Sequence, residues 1–202
     1  MTVRALFPIP YWINTASEEV YNEIQEELLS CFNRKKFSQV EGWSSDTHEL
    51  NENPFEGNVL EECPKFLDFL DTNLMSYLDE IKVISRREYV ITQSWFTKTK
   101  HRKFAHLHDH GASDLSGVYY VQTNGEDGNL VFEDPMRSYA TNYIFESITS
   151  VNPELSPKNG LLALWPGMIQ HRTQPNQTQD ERISLSFNIT FNKSFDSSCI
   201  FR

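Results

Sequence analysis

Residues 182–192 read RISLSFNITFN, and polar and apolar side chains alternate along the whole stretch. Ile183, Leu185, Phe187, Ile189 and Phe191 make one face; Arg182, Ser184, Ser186, Asn188 and Thr190 make the other. A period of two marks a β-strand, whose successive side chains point to opposite sides. A strand face left in water usually carries Lys and Glu, whereas this one holds a single arginine among short polar groups. Arg182 and Ser184 share a side, and a guanidinium beside a hydroxyl suits a small dicarboxylate, through two parallel charge-assisted bonds. The plainer alternative is an edge strand whose polar face is solvated.

Upstream of this stretch, short strand-like runs occupy residues 88–97, 104–108, 115–122, 129–133, 147–151 and 160–165. Gly111, Asn124-Gly125, Asp127-Gly128, Pro135, Pro153 and Asn159-Gly160 separate them as turn signals. Further upstream the period changes. Val20, Ile24, Leu28 and Phe32 recur every four residues, with Thr15 and Glu18 spaced as a capping box. Phe66, Leu70, Leu74, Leu78 and Ile81 line a second helix, with Pro64 in its first turn. Residues 36–60 between the helices read as a long loop, and that length suggests a lid or a substrate wall. The pattern is an α+β chain, mainly β: a sandwich or jelly roll with two N-terminal helices packed on one face.

The 202 residues suit a single domain, 1–85 holding the helices and the loop and 86–192 the strands. Eighteen Lys and Arg against 28 Asp and Glu leave a net charge of −10, which argues against nucleic acid or an anionic membrane as partner. Cys31, Cys63 and Cys199 lie far apart without a CxxC, so a disulfide framework is not expected and a reducing, cytoplasmic setting is. The first residues, MTVRALFPIPYW, lack the pattern of a signal peptide.

Six histidines occur, and His101, His106, His108 and His110 fall within ten residues. If 104–108 is a strand, His106 and His108 point the same way and can meet at one metal ion, with His171 as the third ligand from a distant strand. Ser116, Val118 and Tyr120 continue the parity of that pair, so the Tyr120 hydroxyl is expected inside the barrel, and Tyr119 in the apolar core. The plainer reading of HLHDH is a solvated, histidine-rich turn.

The blocks HLH (106–108), LSGVYYV (115–121), GNLVFEDP (128–135), GLLALWP (160–166), HRTQPN (171–176) and RISLSFN (182–188) come in an order that resembles the 2-oxoglutarate/iron(II) oxygenase superfamily. Bacterial and phage members with HxH followed by SGVYYV are the nearest in pattern, and prolyl hydroxylases are more distantly similar. The resemblance implies a double-stranded β-helix, a cupin-like jelly roll. It implies iron(II) on His106, His108 and His171, and 2-oxoglutarate as cosubstrate on Arg182, Ser184 and Tyr120. It further implies that oxygen and 2-oxoglutarate become succinate and carbon dioxide while a small-molecule or peptide substrate is hydroxylated. Most of the superfamily places Asp or Glu where this chain has His108; the expected site is therefore either three histidines or one that recruits Asp109, Asp114 or Asp134. Two other readings are a three-histidine cupin-like metalloenzyme that does not use 2-oxoglutarate, and a non-catalytic jelly-roll binding module.

Overall fold

A computed structural model describes residues 9–39, 46–48, 58–83, 88–135 and 153–191. The strands are β1 (Trp12–Thr15), β2 (Phe37–Gln39), β3 (Asp46–His48), β4 (Tyr89–Thr99), β5 (Leu115–Gln122), β6 (Leu130–Phe132), β7 (Glu154–Leu155), β8 (Leu161–Pro166), β9 (His171–Thr173) and β10 (Arg182–Phe191). The helices are α1 (Glu18–Phe32) and α2 (Pro64–Glu80). Seven strands form an antiparallel sheet in the order β1-β8-β5-β10-β4-β3-β2, and three form a second sheet, β7-β6-β9.

The long β10 is central to the large sheet, paired with β4 on one side and β5 on the other. Its alternation therefore separates two interiors, and the alternative of a solvated polar face does not hold: Arg182, Ser184 and Asn188 are buried, as the apolar face is. Ile183, Leu185, Phe187 and Ile189 join Leu162, Leu164, Tyr119 and the helices in one apolar cluster. A smaller cluster on the opposite face joins Val118, Tyr120, Ala163 and Trp165 to Leu130 and Phe132 of the second sheet.

Both helices form where the four-residue spacing places them. Ile24 and Leu28 of α1 and Phe66, Leu70 and Leu74 of α2 are buried against the sheet. Burying an aromatic or aliphatic side chain of this size contributes about 1.5–3 kcal/mol each. The cap of α1 differs from the expected one. Thr15 is committed to β1 opposite Leu161, and Ser17 caps instead, its hydroxyl accepting from the Val20 N–H at 3.4 Å. Cys63 precedes Pro64 without a capping hydrogen bond from its side chain. The orphan N–H groups of Lys65 and Phe66 donate instead to the two carboxylate oxygens of Glu27 from α1, each at 3.0 Å, which ties the helices together.

The loop expected at 36–60 is only partly a loop. Residues 37–39 and 46–48 pair as β2 and β3 and extend the large sheet beyond β4, and Val59–Glu62 forms a short 3-10 turn. The rest of that stretch, and the strand expected at 147–151, lie outside the described residues. The run 104–108 is not a strand: only His108 bridges, to His171, and the backbone bends at Leu107.

Candidate active site

Leu107 decides which histidines meet. A period of two holds only where the chain is extended, and the bend separates His106 from His108. His108 and His110 both hydrogen-bond to the segment that follows β8. His108 N–H donates to His171 O at 3.0 Å, His171 N–H returns to His108 O at 2.8 Å, and His110 N–H donates to Gly167 O at 2.9 Å. His108 and His110 therefore share a side, and His171 stands opposite them. The ligating nitrogens of His108, His110 and His171 all lie within 4.8 Å of one another. His106, expected in the set, faces solvent with its ring against Phe104 at 4.7 Å. The clustered pair lies two residues later in the chain than the expected one.

The carboxylates weighed as substitutes take no part. Asp109 is exposed and accepts from the Gly111 N–H, and Asp114 accepts from the Phe191 N–H at 2.8 Å. Among the described residues no Asp or Glu joins the histidine group.

Each imidazole is oriented by its surroundings. His108 Nδ1 lies 2.7 Å from the His106 carbonyl and His171 Nδ1 lies 2.9 Å from that of Ile169. A carbonyl can only accept, so Nδ1 carries the proton in both rings and the Nε2 lone pair is left for a metal ion. Trp165 packs edge-on against His171 at 4.8 Å between ring centroids, and Trp95 lies 5.7 Å from His110. Burial first, and then neighbouring histidines, lower the His171 pKa to about 3 and that of His110 to about 4. Burial also lowers His108. The three rings are neutral at physiological pH, the form a divalent ion requires. A cluster of neutral, pre-oriented nitrogens fits iron(II).

The histidines line a cavity whose walls also hold Tyr120, Arg182, Ser184 and Ser186. The three residues expected around a dicarboxylate thus lie on the same cavity as the histidines. Tyr120 is fully buried, its ring 5.9 Å from the Arg182 guanidinium, and burial raises its pKa. Val118 shares the cavity and Tyr119 lies in the helix-side core, its ring 5.0 Å from that of Phe66, as parity implied.

The arginine is also held by a turn distant in sequence. Nη1 donates to the carbonyls of Asp127 and Gly128 at 2.9 and 2.6 Å, and Nη2 to Thr99 Oγ1 at 3.4 Å. Asp127, fully buried, also places its Oδ1 3.7 Å from Nη1. Gly128 has φ +101°, and a Cβ there would run into the Gln174 carbonyl, so glycine is required where the carbonyl meets the arginine. In the sequence Asp127-Gly128 shows only as a turn signal; the sign of a further role is an acidic residue within that turn. Arg182 Nε is buried without a hydrogen-bond partner. The edge formed by Nε and Nη2 is thus the part of the fork that fits a carboxylate.

Comparison with known proteins bears on the fold and the family pattern. Residues 93–188 match the model of the family described as "Putative 2OG-Fe(II) oxygenase". No curated protein matches the chain. Among solved structures, a 2OG-Fe(II) oxygenase-family oxidoreductase from Burkholderia pseudomallei superposes with a TM-score of 0.65 at 14% identity, covering 89% of this chain and 84% of that one. A prolyl-4-hydroxylase from Pseudomonas putida gives 0.62 at 12% identity, covering 91% and 94%. HygX from Streptomyces hygroscopicus, solved with nickel, 2-oxoglutarate and hygromycin B bound, gives 0.60 at 12% identity, covering 92% and 84%. The fold they share is the double-stranded β-helix. Residues 93–188, which contain all three clustered histidines and Arg182, thus resemble the 2-oxoglutarate/iron(II) oxygenases in sequence pattern, and the fold is the one those enzymes share.

Proposed function

We propose that this chain is a 2-oxoglutarate/iron(II) oxygenase that holds iron(II) on His108, His110 and His171 and seats the distal carboxylate of 2-oxoglutarate against Arg182, Ser184 and Tyr120. The observation that carries the reading is the single cavity that joins three neutral, converging imidazoles to a buried arginine with an unpartnered N–H. His110 takes the place, two residues after His108, at which the superfamily pattern has Asp or Glu. When bound, iron(II) and 2-oxoglutarate supply the oxidising chemistry with dioxygen, yielding succinate and carbon dioxide. The chain's own residues do the rest. The carbonyls of His106 and Ile169 fix the tautomers of His108 and His171, and Trp165 buttresses His171. All three ligands are neutral, so the protein cancels none of the ion's charge, and that charge is available to the cosubstrate's oxo-acid end. Arg182 and Ser184 orient the other end, and Tyr120 and Val118 exclude water around it.

The substrate we assign is a small molecule or peptide that is hydroxylated. The net charge of −10 speaks against nucleic acid or an anionic membrane surface as partner. Among the described residues no helix is long and apolar enough to cross a membrane, and Cys31 and Cys63 are free thiols, which supports a cytoplasmic setting.

Anaerobic addition of iron(II) and then 2-oxoglutarate tests the assignment. One iron per chain, a metal-to-ligand charge-transfer band on adding 2-oxoglutarate, and slow succinate release on admitting air are expected. Bound iron with neither the band nor succinate would favour a three-histidine enzyme that does not use 2-oxoglutarate.

A further inference from the structure

The buried Asp127 neither joins the histidine cluster nor lines the cavity, and its surroundings are specific. It is 0% exposed. Oδ2 accepts from the Thr123 hydroxyl at 2.6 Å and from the Asn124 N–H at 3.2 Å. Oδ1 has no hydrogen-bond partner and lies 3.7 Å from Arg182 Nη1. One oxygen thus builds the turn and the other is left facing the guanidinium, which is itself only 2% exposed.

The turn and the charge are separable. Arg182 is gripped by the backbone carbonyls of Asp127 and Gly128, which remain wherever the turn remains. An asparagine supports the same turn, since its amide oxygen accepts as a carboxylate oxygen does. What only an aspartate adds is a negative charge beside the arginine in a region screened from water, where charges act strongly. We propose that Asp127 is a specificity-determining counterion that offsets the charge of Arg182 and thereby limits how tightly the cavity holds a dicarboxylate. With it, the subsite offers directed N–H donors but little net positive potential. Without it, the ligand's distal carboxylate is the nearest available partner for a buried cation. The inference rests on the assignment of Arg182 to the cosubstrate.

Two ligands of equal chain length separate the effect from any general change in the site. 2-Oxoglutarate has the distal carboxylate; 2-oxopentanoate has the same oxo-acid end and lacks it. Both are titrated calorimetrically, without oxygen, into the iron(II)-loaded protein. Asp127→Asn is expected to lower the Kd for 2-oxoglutarate about fivefold or more while moving that for 2-oxopentanoate by less than about twofold. Thr123→Val withdraws the hydroxyl from Oδ2 and leaves more of the carboxylate's charge to the arginine. It should act in the opposite direction, weakening 2-oxoglutarate about two- to threefold, and it keeps the test available if the asparagine variant folds poorly. In an Arg182→Gln background, which removes the cation, Asp127→Asn should change the 2-oxoglutarate Kd less than it does alone. A 2-oxoglutarate Kd that is unchanged or raised by Asp127→Asn, or equal shifts for both ligands, overturns the proposal. Failure of the underlying assignment looks different: Arg182→Lys would then bind 2-oxoglutarate as the parent does.

Discussion

On the helix side of β5, Tyr119 sets its ring 5.0 Å from that of Phe66; on the cavity side, the next residue, Tyr120, lies 5.9 Å from the guanidinium of Arg182. The two faces of one sheet are built from adjacent residues of the same strands, and both are buried. The helix face is apolar and closely packed. A Cβ on Gly117 would overlap the Phe187 ring and meet Leu164 Cδ2 at 2.8 Å. The cavity face carries a buried arginine, serines and histidines, and two of its side-chain N–H groups, on Arg182 and Trp165, are unpartnered. The helix face holds the fold together, and the cavity face takes on the cost of buried polar groups because the large apolar core opposite can bear it. Substitutions on the two faces should therefore fail in different ways.

The largest effect on stability is expected on the helix face. Phe66→Ala removes a fully buried ring and should cost about 3–5 kcal/mol, read as a large fall in the urea midpoint. A loss under about 1 kcal/mol would mean that this core is loosely packed. On the cavity face, His171→Ala should abolish iron binding while the circular dichroism spectrum and the thermal midpoint stay close to the parent's, since the apolar clusters survive. Unfolding of that variant would erase the division between the faces.

Arg182→Lys comes next. An ammonium keeps a cation opposite Asp127 but cannot present the forked Nε and Nη2 edge, so 2-oxoglutarate should bind about tenfold more weakly with iron affinity unchanged. The smallest effect lies away from both faces. Glu62, hydrogen-bonded first by Lys35 and then by Arg34, has a pKa lowered to about 2. A carboxylate whose folded pKa lies below its unfolded value adds stability that is present above the unfolded value, near 4.5, and lost as pH falls through about 2. Its side chain is 44% exposed, so solvent screens the pair, and Glu62→Gln should cost less than about 1 kcal/mol at neutral pH. A larger loss would point to an organised charge network at the α1–α2 junction.

Much of this division was legible in the sequence because it rests on local periodicity. The alternation of 182–191 and of 115–122 placed Arg182, Ser184 and Tyr120 on one face and Tyr119 and Leu185 on the other. Four-residue spacing placed both helices. The features that were misread depend on irregular backbone or on distant segments. One bend at Leu107 moved the histidine pair from 106 and 108 to 108 and 110, and no propensity of HLHDH announces it. β1 and β2 are short edge strands and β3 is a short strand between β2 and β4, and their existence depends on pairing with β8, with β3 and with β4. Asp127 looked like an ordinary turn residue because its partner, Arg182, lies 55 positions away.

The metal site depends most on which histidines meet. Anaerobic iron(II) titration of His106→Ala and His110→Ala, made side by side and compared with the parent, tests this directly. His106→Ala should bind one iron per chain with the parent's affinity, because only its backbone carbonyl, retained by alanine, serves the site. His110→Ala should lose stoichiometric iron at the same concentrations. The reverse pattern, with iron kept by His110→Ala and lost by His106→Ala, would contradict the ligand set and return the pair to positions 106 and 108.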